Sequence, residues 1–273
     1  MTGVEPWRLD VALSRAVAFA DHGTIVIAGG LTANGTTGAV HRIDPATGSV
    51  VSTGRLRDAV HDAAGAILSG RLLVFGGGRS VAGSAVQFVA PDATGELVGK
   101  LPASRADLAT VVVGDQAFVI GGGTSGVTDA RIWATSDGID ERLVGRLRMG
   151  VRYAAVAASG ASIYLFGGAT SGGDRSEIQR FDTTTGRTTV VGRLPVALSH
   201  GVAFRIGDRI LVMGGPSSSA IWSFDPQRAT VSQVGRLPYR VSDAAAVVVD
   251  GRGYLIGGEG PNYLATVISV DLH

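Results

Sequence analysis

One feature constrains this chain more than any other: a short apolar run that stops in paired glycines and recurs six times. Leu72-Leu73-Val74-Phe75-Gly76-Gly77-Gly78 is the clearest copy. The others are Ile25 to Gly30, Phe118 to Gly123, Tyr164 to Gly168, Leu211 to Gly215 and Tyr254 to Gly258. The first glycines of the pairs, Gly29, Gly76, Gly121, Gly167, Gly214 and Gly257, are separated by 47, 45, 46, 47 and 43 residues. Four or five consecutive apolar residues read as a strand buried on both faces. A glycine pair at its end fits a backbone that turns with positive φ or passes close against a neighbour. One such strand cannot bury itself, so each copy needs sheet partners and adjacent repeats.

A second landmark repeats in step: Gly54-Arg55-Leu56, Gly99-Lys100-Leu101, Gly145-Arg146-Leu147, Gly192-Arg193-Leu194 and Gly235-Arg236-Leu237. Counting back 47 residues from Leu56 reaches Leu9, in Trp7-Arg8-Leu9. Residues 3–9 therefore read as the end of a repeat whose beginning, about 238–273, lies at the other end of the chain. In the first full repeat, strands are expected at about Arg15 to Asp21, Thr24 to Gly29, Gly38 to Asp44 and Ser49 to Gly54. Asp21-His22-Gly23, Ser69-Gly70 and Asp250-Gly251 carry hairpin-turn chemistry. Aspartates such as Asp44, Asp182 and Asp225 open the later turn and read as structural.

The fold expected is all-β: a six-bladed β-propeller of four-stranded antiparallel blades, its last blade closed by the N-terminal strand. The whole chain, 1–273, forms one domain, with blades at about 12–55, 56–101, 102–147, 148–194, 195–237 and 238–273 plus 3–9. The glycine pair after an apolar strand, followed about fifteen residues later by an aspartate-containing turn, resembles bacterial kelch-like repeats and the central domain of galactose oxidase. The family's tryptophan in the fourth strand is absent from most blades, with Trp7 the nearest match. Its tyrosine survives as Tyr164 and Tyr254, set back in the strand.

Composition excludes several functions. A net charge of +1 gives no global field for nucleic acid or an anionic membrane. No apolar run approaches the ~20 residues of a membrane helix. There are no cysteines, so disulfides, thiolate metal sites and the cysteine-dependent copper chemistry of galactose oxidase are not expected. The five histidines, His22, His41, His61, His200 and His273, are scattered, and no Glu-x3-Asp-x3-His iron motif is present. No cofactor, metal or catalytic set is expected. The abrupt start, Met1-Thr2-Gly3 and then a strand, favours an extracytoplasmic domain of a longer exported protein whose signal or anchor has been trimmed.

Phase also locates a candidate site. Six residues after each landmark leucine stand Arg15, Asp62, Asp107, Tyr153, His200 and Asp243. All six lie where an innermost strand begins, beside the long glycine-rich loops. With His61, Arg105, Arg152 and Arg240 they are expected to ring the mouth of the central channel. Such a ring could simply pair internally, or it could recognise a ligand through arginine forks suited to a carboxylate, as in an acidic peptide or a sugar acid. The resemblance implies a non-enzymatic recognition or scaffold propeller, monomeric, binding a protein segment or small polar ligand at the channel mouth. The alternative it implies is a carbohydrate-active enzyme resembling N-acetylneuraminate epimerase, for which Arg152, His200 and Asp243 could supply acid and base.

Overall fold

The computed structural model describes residues 2–271 and contains six four-stranded antiparallel blades and no helix. His273 lies outside the described residues. The first blade runs outward through Val17–Asp21, Thr24–Ala28, Ala39–Ile43 and Val50–Arg55. The next four repeat that up-and-down order. In the sixth, Ala245–Val249, Arg252–Ile256 and Thr266–Val270 are completed by Thr2–Arg8. Thr2 pairs with Val270, Gly3 with Ser269 and Val4 with Ile268. After a bulge, Arg8 pairs with Thr266. The bulge turns Trp7 inward, where its indole N–H donates to Pro45 O of the first blade at 3.1 Å.

The second strand of each blade is buried on both faces, as an unbroken apolar run requires. In four of the blades the innermost strand alternates instead, one side packed between blades and the other toward the channel. The core is divided into six clusters, each formed where two blades meet. The cluster joining the last blade to the first holds Trp7, Ile25, Ile27, Val247, Ile256 and Val267. The hairpin turns carry the backbone their sequences call for: His22, Ser69 and Asp250 have φ of 50°, 49° and 50°, each followed by a positive-φ glycine. Asp44, Asp182 and Asp225 accept hydrogen bonds from backbone N–H groups two residues on, at 2.8, 3.0 and 2.8 Å.

The glycine pairs weld neighbouring blades. Gly30, Gly77, Gly122, Gly168 and Gly258 each donate their N–H to a carbonyl in the loop leading into the next blade, at Val60, Arg105, Val151, Leu198 and Leu13. The same carbonyl presses on the first glycine of the pair. A Cβ on Gly167 would stand 2.1 Å from Leu198 O, and one on Gly76 2.6 Å from Arg105 O. The pair is therefore required both by φ, +63° at Gly167 and +61° at Gly76, and by the approach of the next blade. Some loops on the channel-mouth face are more ordered than their glycine content predicts. Leu31–Thr32 pairs with Gly35–Thr36, and Ala169–Thr170 with Gly173–Asp174, as miniature hairpins.

Candidate functional site

The mouth of the channel is built on a closed circle of backbone hydrogen bonds. Asp62 N–H donates to Arg15 O, Asp107 to Asp62, Tyr153 to Asp107, His200 to Tyr153, Asp243 to His200 and Arg15 to Asp243. The six distances span 2.8 to 3.2 Å. All six residues occupy the left-handed region, with φ between 55° and 59°, although none is glycine. Such a conformation costs roughly 1–2 kcal/mol for an L-residue. Here it is imposed by the circle and by antiparallel bridges that hold Ser14, His61, Arg152 and Ser242 just before it. The six positions singled out by phase are the six members of this circle.

Their side chains are strongly coupled. Arg15 Nε lies 2.8 Å from Glu259 Oε1 and 3.9 Å from Asp243 Oδ1, and its terminal nitrogen 3.3 Å from Asp62 Oδ2. His61 Nε2 is 3.5 Å from Asp62, while its Nδ1 meets Thr36 Oγ1 at 2.9 Å. Across the mouth, His200 Nδ1 is bound to Asp243 Oδ1 at 2.7 Å. The His200 ring is stacked on Tyr153, with centroids 3.7 Å apart and planes 24° apart. Arg152 covers the other part of this platform, 5.0 Å from the Tyr153 centroid and 3.6 Å from Asp107. A cavity of about 290 Å³ lies here, lined by His61, Asp62, Asp107, Arg152 and Tyr153 together with residues 78–82 and 123–125.

Two of the expected ring members lie elsewhere. Arg105 is 1% exposed. Its side chain runs into the third blade to Asp129 Oδ2 at 2.7 Å and Gly121 O at 3.3 Å, so it holds the scaffold and presents nothing at the surface. Arg240 is exposed in the loop leading into the sixth blade, outside the contacts that link the ring. Glu259 is the member that phase did not supply. It follows the glycine pair of the sixth blade and bridges Ser14 and Arg15. The signal was present: the corresponding residues are Leu31, Gly78, Gly123, Ala169 and Pro216, so Glu259 alone carries charge.

With Glu259 included, four carboxylates (Asp62, Asp107, Asp243, Glu259) face two guanidiniums (Arg15, Arg152). Arg15 is thus already saturated with carboxylate, and the expectation of open arginine forks awaiting an acidic ligand is not met there. Burial disfavours the Arg15 cation, but Glu259, Asp62 and Asp243 outweigh it and raise its pKa. Burial raises the Asp62 carboxyl despite Arg15 and His61. Burial, and then the charge of Asp62, push Asp107 up to about 6, against the opposing influence of Tyr153 and Arg152. The Tyr153 hydroxyl is raised as well, by burial and by Asp107.

These shifts make a testable pH dependence. Asp107 in the folded protein holds its proton to about pH 6. Glu141, a half-buried residue of the third blade whose carboxyl oxygens are shielded from solvent without a hydrogen-bond partner, holds its proton to about pH 7. Both groups ionise earlier in the unfolded chain, so their contribution is complete below about pH 4 and is lost as pH rises through 6 to 7. Glu177 and Asp225, held down near 2 by arginines, act in the opposite direction, only under more acidic conditions. Melting temperature is expected to fall from pH 4.5 to 7.5, with a shallower slope in Asp107→Asn and Glu141→Gln. Parallel slopes in all three proteins would contradict the assignment.

No protein-family model matches the chain, and no curated protein sequence matches it. The fold has a clear counterpart among solved structures. One described as "Structure of YjhT" superposes with a TM-score of 0.85 over 97% of this chain and 96% of that one, at 16% identity. At that identity the likeness establishes a shared six-bladed β-propeller architecture.

Proposed function

We propose that this protein is a kelch-type recognition propeller, without catalytic activity, that receives a polar group at the channel mouth. The group belongs to a protein segment or a small polar ligand. The observation that carries this reading is the preformed ring. Six strained residues are locked in place before any ligand arrives, so little ordering remains to be done on binding. A cavity of about 290 Å³ suits one side chain or one sugar ring. Around the mouth, Asp62, Asp107, Asp243 and Glu259 together outnumber Arg15, Arg152 and the Arg79 that borders the cavity, which favours a neutral or cationic group over an anion, and the Tyr153–His200 stack offers a face to a ring or a guanidinium.

Calorimetric titration with lysine- or arginine-bearing peptides and with neutral and acidic sugars tests the proposal. A basic or hydroxyl-rich ligand is expected to bind, with affinity reduced about tenfold or more in Asp62→Asn and His200→Ala. Selective binding of an acidic sugar at the mouth, or a ligand footprint around Asp44, Asp182 and Asp225 on the opposite face, would refute it.

One observation favours a second reading, a carbohydrate-active enzyme. Asp107, raised to about 6 beside the Tyr153 hydroxyl in a cavity, is matched to proton transfer near neutral pH. Sugar C–H exchange in heavy water, followed by NMR and abolished in Asp107→Asn, would establish that chemistry.

A further inference from the structure

A second feature of the same face lies away from the channel. A groove of about 1110 Å³ runs between the loops of the first and second blades, from Val11 and Thr32 to Leu97 and Lys100. It is separated from the mouth cavity by the loop at 78–81, which borders both. Four cations line it, Arg55, Arg57, Arg79 and Lys100, against a single carboxylate, Asp58. All four are exposed, and none takes part in an ion pair among the described residues. Several other arginines of this face are paired: Arg15 with Glu259, Arg152 with Asp107, and Arg175 and Arg193 with Glu177.

The repeat explains only half of this cluster. Arg55 and Lys100 are the basic residues of the recurring landmark, which each blade carries at the end of its outermost strand. Arg57 and Arg79 are additions, one in the loop leading to the second blade and one in the loop after Gly76-Gly77-Gly78. Together they concentrate positive charge in one groove of a chain whose net charge is only +1. The groove is also partly apolar, with Val81 78%, Val11 58% and Leu97 51% exposed. No aromatic side chain lines it, so neither sugar rings nor nucleobases find a stacking surface.

We propose that this groove docks an extended acidic peptide segment of a partner protein, in which carboxylates alternate with aliphatic residues. Arginine forks and Lys100 take the carboxylates. Val11, Val81 and Leu97 take the aliphatic side chains. The proposal is independent of what the channel mouth binds.

The test is fluorescence anisotropy with a labelled peptide of roughly eight residues alternating glutamate and valine, long enough to span about 27 Å when extended. The full chain is used at low ionic strength. Binding is expected to weaken about tenfold or more in Arg57→Ala and in Arg79→Ala, and to vanish in the double variant Arg57→Glu with Arg79→Glu. It should also weaken with added salt. These side chains are exposed, so the variants should melt as wild type does. Tyr153→Ala and His200→Ala at the mouth should bind the peptide normally, which separates this site from the channel. A glutamine–valine peptide should not bind. Failure of the acidic peptide to bind, or binding indifferent to the charge reversals, would overturn the proposal. So would tighter binding of a heparin fragment or single-stranded DNA with the same sensitivity to Arg57 and Arg79.

Discussion

A variant lacking residues 2–8 is expected to lose on the order of 5 kcal/mol of stability, enough to unfold many domains of ordinary stability. Three losses combine. The last blade loses its outermost strand, exposing the hydrogen-bonding edge of Thr266–Val270 to other chains. Trp7 leaves the cluster shared by the first and last blades, and its indole bond to Pro45 O goes with it. The ion pair between Glu5 and Arg252, 3.0 Å long, is also removed. Trp7→Ala should produce about 3–5 kcal/mol of this by itself, the usual cost of truncating a large aromatic side chain in a core. Urea unfolding followed by tryptophan fluorescence and circular dichroism measures both. A truncated chain with the wild-type midpoint would mean that the seam is held by the other contacts between the two blades.

Gly167→Ala is expected to cost about 2–4 kcal/mol, although it adds a single methyl group. An L-residue at φ +63° carries roughly 1–2 kcal/mol of strain. The larger part comes from the new Cβ, which would stand 2.1 Å from Leu198 O and 2.8 Å from Arg175 O. Both are backbone atoms and cannot swing away as a side chain would. Relief requires the fifth blade to move, which lengthens the Gly168 N–H bond to Leu198 O from its 2.7 Å. Gly160→Ala is the matched control. It shares the positive φ, but its Cβ would meet nothing within 4 Å, so only the smaller strain should appear. Equal destabilisation in the two variants would show that conformation alone governs the glycine pair.

Much of the fold was legible because repetition amplifies weak local signals. One apolar run before Gly76 is ambiguous, whereas six at nearly regular spacing fix a closed array, and the phase of Trp7-Arg8-Leu9 fixes how it closes. The same phase led to Arg15, Asp62, Asp107, Tyr153, His200 and Asp243, because equivalent positions in a propeller are equivalent in space. What phase cannot reveal is the direction of a long side chain. Arg105 stands two residues before Asp107, yet it turns away from the mouth into the third blade to reach Asp129. Glu259 escaped because it belongs to a different loop of the repeat and meets Arg15 only when the last blade is brought beside the first. The charge balance of the mouth depends on where Arg105 and Arg240 lie as well as on that contact across the seam, so it became readable only in three dimensions.

The circle of six backbone bonds at the mouth has no terminal member. In an open array of repeats the outermost unit can fray while the others persist. Here each bond has neighbours on both sides, and opening any one of them breaks a circuit that every blade shares. Thermal unfolding should therefore be a single concerted event for all six blades, with calorimetric and van't Hoff enthalpies in agreement. The channel mouth, as part of the circuit, would persist until the whole molecule unfolds.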